Sequence, residues 1–242
     1  MKLCILENDV VDAAVLPTYG SYGTMVERLL CSAGAQWTTE IFCTSLNQFP
    51  DSYDGYDAVL LTGSRADSFS QESWVVQLRE HVMHLLQIQK KLLGICFGHQ
   101  LIALCLGARV GRAPQGWGVG RMTYQWHAPE WLSHPESTAV QSALQLALLA
   151  SHQDQVFDLP AGADLLASNA FCPIAAFTVS NRVFCVQAHP EFVADYSAYL
   201  LDKRRTSLQA DHYTASRSSL LAAHDGLHVA RMMVAFVESS ID

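Results

Sequence analysis

Short, almost wholly apolar runs alternate along the chain with longer segments in which apolar residues recur every three or four positions. Lys2 to Leu6, Trp37 to Cys43, Ala58 to Leu61 and Leu92 to Ile95 are the short runs, and they predict strands. Between them, Tyr22 to Ala33 sets Met25, Val26, Leu29 and Leu30 on one stripe and stops at Gly34, which predicts a helix. Gln71 to Gln89 repeats the pattern with Trp74, Leu78, Val82, Leu85 and Leu86. Phe97 to Leu106, closed by Gly107, predicts a third helix directly after the Leu92 to Ile95 strand. Strands alternating with crossover helices predict an α/β fold with a mainly parallel central sheet flanked by helices.

The texture changes after Val110. Gly111, Gly116, Gly118 and Gly120 surround Trp117, and Arg121 to Trp126 then alternates as an antiparallel strand does, which predicts a small added antiparallel sheet. Ile174 to Val179 and Arg182 to Ala188, joined by Ser180 and Asn181, predict a hairpin. Asp202 to Gly226 is polar and predicts a peripheral segment, and Leu227 to Val237 predicts a closing amphipathic helix through Val229, Met232, Met233, Phe236 and Val237.

Composition narrows the class. With 242 residues, half of them hydrophobic and no long charged or Pro-rich tract, the chain predicts one folded domain over 1–242, with 202–242 as its peripheral C-terminal segment and helix. A net charge of −8 is the wrong sign for gripping phosphate backbones, so nucleic acid is not an expected partner. The apolar start, Leu3 to Leu6, is stopped at once by Glu7, Asn8 and Asp9, too soon for a signal peptide, and no run reaches membrane-spanning length. Seven cysteines without C-x-x-C pairs predict neither a disulfide framework nor a zinc knuckle, and with them a reducing, cytoplasmic setting. Six of the seven read as small buried hydrophobes; Cys96 is the exception.

Cys96 lies in Leu92-Leu-Gly-Ile-Cys-Phe-Gly-His-Gln100, where an apolar strand runs through Gly94-x-Cys96-x-Gly98 into a helix. This is the cysteine counterpart of the nucleophile elbow, in which a tight strand-to-helix turn projects the nucleophile and flanking glycines relieve crowding. The helix N-terminus favours a thiolate and aims free backbone N–H groups at the reacting carbon. A second constellation, His189-Pro190-Glu191, follows the Arg182 to Ala188 strand. Residues two apart in extended chain point the same way, so His189 and Glu191 suit a general base and the carboxylate that orients it. The same three letters recur at His134, Pro135 and Glu136 after no clear strand, and there they read as a surface turn.

Together, Leu61-Thr-Gly63-Ser, Gly94-Ile-Cys96-Phe-Gly-His-Gln100, Ser151-His-Gln-Asp-Gln-Val156 and Val186-Gln-Ala-His189-Pro-Glu191 resemble, in order and spacing, the class I (triad-type) glutamine amidotransferases. Within that family the chain is most similar to stand-alone proteins related to the glutaminase domain of GMP synthetase, a group that includes γ-glutamyl peptidases. The resemblance implies a flavodoxin-like fold, Cys96 as nucleophile, His189 as general acid and base, and Glu191 as its orienter. It implies a γ-glutamyl thioester, with the amides of Gly63 and Phe97 as oxyanion donors. Gln100 and the Ser151, His152, Gln153 loop then match substrate-binding positions. No cofactor or metal is implied.

Two departures stand out. Thr62-Gly63-Ser64 replaces the family's usual Gly-Gly-Pro, which predicts a loop less rigid or set by a ligand, and the sequence stops at Asp242 without a fused synthetase. Three functions are therefore compatible with the motifs. The first is glutamine hydrolysis, with ammonia passing to a separate synthetase subunit. The second is hydrolysis of a γ-glutamyl peptide or conjugate by water, and the third is a silent ligand-sensing or interaction module. Other residues read quietly: His224 with His228 and His81 with His84 as solvated faces, Trp117 as a hairpin anchor or a pocket wall, and Lys203-Arg204-Arg205 as a solvated charge run.

Overall fold

The computed structural model of the protein describes residues 1–127 and 144–239. Its centre is a nine-stranded sheet. Five strands are mutually parallel, in the spatial order β2 (Thr38–Cys43), β1 (Lys2–Glu7), β3 (Ala58–Leu61), β4 (Lys91–Ile95) and β11 (Val183–Val186). The sheet continues antiparallel through β10 (Ala176–Val179), β9 (Asp164–Ser168), β6 (Gly118–Trp126) and β7 (Leu144–His152). The four strands predicted from the apolar runs and the β10–β11 hairpin all form where the sequence places them.

The small separate sheet exists, but its strands are β5 (Val110–Arg112) and β8 (Asp154–Val156). The alternating Arg121 to Trp126 stretch instead belongs to β6 and extends the central sheet, because β9 offers it a free edge at Gln125 and Trp126.

Of the parallel strands, β1, β3, β4 and β11 are buried on both faces, which explains why they read as continuous apolar runs, whereas β2 at the edge is largely exposed. Leu3, Ile5, Leu60, Leu93 and Ile95 face one layer, together with Val26 and Leu30 of α2 (Tyr22–Ser32) and Val229, Met233 and Phe236 of α7 (Gly226–Glu238). Cys4, Leu6, Val59, Leu61 and Leu92 face the other, against α3 (Ser73–Gln87) and α4 (Phe97–Cys105). The short α1 (Leu16–Tyr19), α5 (Ala194–Lys203) and α6 (Ala210–Ser219) complete the α-helices among the described residues. Ser21 caps α2 by accepting from the Thr24 amide.

The C-terminal segment divides in two. α6 buries only Ser216 and rests on β6, where Gly120 (φ +83°) leaves the room that a side chain would take from Ser216 and Ser219. α7, expected at the periphery, is instead a core element with Val229, Met233 and Phe236 fully buried. Its last turn is tied to the sheet by Lys91, whose Nζ donates to the carbonyls of Phe236 (2.6 Å), Val237 (3.2 Å) and Ser239 (2.5 Å). A cation on C-terminal carbonyls answers both their unsatisfied bonding and the helix dipole. No helix among the described residues is long and apolar enough to cross a membrane.

Candidate active site

β3, β4 and β11 are consecutive in the sheet and parallel, so their C-terminal ends open on one edge. In open α/β sheets that edge is where ligands bind. Past these three ends come Gly63, Cys96 and His189, residues separated by up to 126 positions in sequence.

Cys96 stands between β4 and α4 with φ 52° and ψ −102°, a conformation that L residues rarely adopt. Its amide donates to the carbonyl of Val186 at 2.9 Å, fixing the turn against β11. The glycines on either side are required by close approach. A Cβ on Gly98 would lie 2.5 Å from the carbonyl oxygen of Leu61, and one on Gly94 would lie 2.8 Å from the backbone at Gly98 and His99. Gly63 has the same constraint from another neighbour: a Cβ there would lie 2.8 Å from His189 Cε1 and 3.5 Å from Cys96 Cβ.

His189 Nδ1 donates to Glu191 Oε1 at 2.7 Å, and both side chains are buried. The imidazole stacks on Phe192 with ring centroids 3.9 Å apart and planes 6° apart, and the backbone amide of His189 donates to Leu149. The extended chain expected here is not formed: Pro190 and Glu191 make a turn directly after His189, and the turn brings the Glu191 carboxylate back to the imidazole. Burial alone would lower the pKa of His189, but the Glu191 carboxylate and then Cys96 raise it to about 10.

A cavity of about 330 Å³ opens beside this cluster, and Cys96, Gln100, Ser151, His152 and Gln153 all line it. Gln100 is held by its Nε2, which donates to the carbonyl of Asp154 (3.0 Å) and to Gln187 Oε1 (3.1 Å). His152 is buried and its pKa is pushed down to about 4, first by that burial, against the Asp154 carbonyl and with the help of His189. Its Nδ1 lies 3.1 Å from that carbonyl, so the neutral ring carries its proton on Nδ1 and Nε2 keeps a lone pair. Neither that Nε2 nor Ser151 Oγ has a partner among the described residues. Burial, countered by Arg112 and reinforced by Asp67, raises Asp154 to about 6.

Gly63 and His189 stand next to Cys96 at the cavity's edge, and Glu191 lines a second cavity with Tyr19, Pro190 and Phe192. Phe97 packs its ring on Trp74, centroids 5.7 Å apart, and its amide begins α4. Among the described residues, no protein acceptor answers the amides of Gly63 and Phe97. The Gly63 loop is firmer than the missing proline predicts. Asn8 donates to Thr62 through its backbone amide and its side chain (3.0 and 2.8 Å), and Arg65 forks onto Asp9 through Nε (2.9 Å) and Nη2 (2.8 Å). His134, Pro135 and Glu136 lie outside the described residues.

Two further residues of the cavity lie outside the four motifs. Trp117 is a wall of the cavity rather than a hairpin anchor. Arg204 turns inward from the end of α5 and sets its guanidinium 4.7 Å above the Trp117 ring, whereas the Lys203 to Arg205 run reads as solvated. The trace in the sequence is an arginine at helical spacing from Tyr196 and Leu200, which also line that cavity. Among the described residues no group of three His, Cys, Asp or Glu side chains could hold a metal.

The family model for class-I glutamine amidotransferases matches residues 14–202. The chain belongs to that family. It is 34% identical over 191 residues to γ-glutamyl peptidase 3 of Arabidopsis thaliana, spanning 78% of this chain and 76% of that protein. It is 29% identical over 181 residues to the glutamine-hydrolyzing GMP synthase of Caldicellulosiruptor saccharolyticus, spanning 74% of this chain but 32% of that one. Among solved structures, a glutamine amidotransferase from Thermotoga maritima superposes with a TM-score of 0.72 at 18% identity over 99% of each chain, a likeness of fold.

The close fit of Gly63 against the imidazole makes a direct test of the cluster. Gly63→Ala should leave the protein folded and lower kcat/KM on a γ-glutamyl substrate by about 10²-fold, because the methyl must displace His189. A thermal melt beside a steady-state assay separates the two effects.

Proposed function

We propose that the protein hydrolyses the γ-amide bond of a γ-glutamyl compound by cysteine nucleophilic catalysis. The observation that carries this reading is the buried His189–Glu191 pair, 2.7 Å apart, set at a strand end next to the strained turn that bears Cys96. In this reading Cys96 Sγ attacks the γ-carbonyl carbon, and the amides of Gly63 and Phe97 receive the oxyanion. With Nδ1 engaged by Glu191, Nε2 is the nitrogen left to move the proton from thiol to leaving amine. The amine departs and a γ-glutamyl thioester remains. Water, deprotonated by His189, then adds to the thioester, and the thiol and glutamate are released.

The Ser151, His152, Gln153 loop and Gln100 hold the glutamyl end. For the amine half, a γ-glutamyl peptide is the better fit. The cavity of about 330 Å³ falls within the roughly 300–1,000 Å³ of sites for ligands larger than one amino acid, and the named γ-glutamyl peptidase aligns over most of both chains.

Free glutamine, with ammonia passed to a separate synthetase subunit, is the second reading. It is favoured by the alignment to the GMP synthase, which falls on only 32% of that protein. Purified protein incubated with glutamine and with a panel of γ-glutamyl dipeptides, followed by mass spectrometry, separates them. Faster loss of the glutamyl group from dipeptides is expected. Ammonia from glutamine with inert peptides would favour the second reading, and inertness toward every substrate would remove both.

A further inference from the structure

Four cationic side chains line the cavity: Arg65, Arg112, Lys203 and Arg204. Three of them have carboxylate partners. Arg65 forks onto Asp9, Arg112 pairs with Asp154 (2.8 Å) and Asp67 (3.1 Å), and Lys203 pairs with Asp12. Arg204 has none among the described residues. Its guanidinium lies on the Trp117 ring, and its single hydrogen bond is from Nη1 to the carbonyl of Leu200 at 3.1 Å. Of five N–H donors in a planar fork, four are left over.

A cation half withdrawn from water without an anion is unfavourable in the empty site, and that penalty is recovered when an anion arrives. Burial is the largest influence on Arg204, acting against its charge, and its field reaches Cys96. Stacking on an indole holds the guanidinium plane in place, so little freedom is lost when a planar carboxylate docks on its edge.

We propose that Arg204, held by Trp117, is a specificity subsite for a free carboxylate on the amine half of the substrate, so that γ-glutamyl amino acids and peptides with an unblocked C-terminus are preferred. The inference rests on the γ-glutamyl hydrolase reading above. Its direction follows from one observation. The glutamyl end already has the Ser151, His152, Gln153 loop and Gln100, whereas Arg204 enters from another element, the end of α5. Arg204 also lies just past residue 202, where the match to the family model stops.

The test compares a γ-glutamyl dipeptide with the same dipeptide carrying a C-terminal carboxamide, in the wild type, Arg204→Ala and Arg204→Lys. In the wild type the free acid should be favoured in kcat/KM by about 10- to 100-fold, the range expected for hydrogen bonds to a charged group. In Arg204→Ala the ratio should fall to near one, and in Arg204→Lys, which keeps the charge but loses the fork, it should be intermediate. The wild-type ratio needs no folded variant, so a value near one overturns the subsite by itself. Equal losses on acid and amide in Arg204→Ala, with the ratio unchanged, overturn it as well and assign Arg204 to the glutamyl end or to the wall. Absence of cleavage of any γ-glutamyl substrate by the wild type would remove the underlying reading first, before any variant is made.

Discussion

Cys96→Ala should abolish γ-glutamyl hydrolysis, with kcat falling by about 10⁴-fold or more, while the protein stays folded. The magnitude follows from the kind of step removed: without Sγ there is no thioester, and the remaining donors and base can act only on a direct attack by water. The fold should survive because the amide of Cys96, which donates to Val186 at 2.9 Å, is untouched. The backbone adds a second readout. At φ 52° and ψ −102° alanine carries the same strain as cysteine, whereas glycine does not, so Cys96→Gly should be inactive yet more stable than Cys96→Ala by about 1–3 kcal/mol. Chemical denaturation of the two variants, beside an assay for released amine, measures both effects. Residual cysteine-independent turnover near the wild-type rate would exclude Cys96 as the nucleophile. Labelling with an electrophilic glutamine analogue needs peptide mapping, because Cys31 is also a free thiol and is exposed.

Glu191→Gln should lower kcat by about 10³-fold or more and reshape the pH profile. Glutamine keeps the size of the side chain but withdraws the buried negative charge 2.7 Å from His189 Nδ1, and it can present an N–H where the imidazole needs an acceptor. In the wild type burial lowers the pKa of His189, and Glu191 followed by Cys96 outweighs it to give about 10. On the proposed mechanism, the imidazolium that would protonate the leaving amine therefore persists through neutral pH, and the alkaline limb of kcat/KM should appear near pH 10. Without the carboxylate that limb should move to lower pH.

Stability follows the same sign. A pKa raised in the folded state above its ordinary 6.5 contributes stability that is complete below pH 6.5 and is lost as pH climbs through about 10. Denaturation midpoints at pH 7 and pH 10 should therefore differ less in Glu191→Gln than in the wild type. An unchanged alkaline limb would show that Glu191 does not govern His189.

Much of this site was legible from spacing. Gly94-x-Cys96-x-Gly98 between a strand and a helix states a local geometric demand, and the structure shows the demand is met because Leu61 and the start of α4 leave no room for a Cβ at either glycine. His189 and Glu191 could be paired on paper as residues two apart on an extended chain; they do lie 2.7 Å apart, but across a turn at Pro190 and Glu191. The rigidity of the Gly63 loop was not legible. It comes from Asn8 and from the Asp9–Arg65 fork, contacts between residues more than fifty positions apart. Trp117 and Arg204 were read separately, one as an anchor or wall and the other as solvated, because nothing in either neighbourhood reveals that they stack.

By itself the sequence determined the first four strands and the helices between them, the β10–β11 hairpin and the closing helix, where Cys96 turns the chain, and which carboxylate stands beside His189. Each of these is decided within about ten residues, by side-chain periodicity and by the backbone freedom of glycine and proline. Only the tertiary structure decided that β3, β4 and β11 are neighbours, that α7 is core rather than periphery, and that Arg204 faces the cavity. Those outcomes depend on which apolar faces bury one another across the whole chain, a competition among distant segments that no local pattern contains.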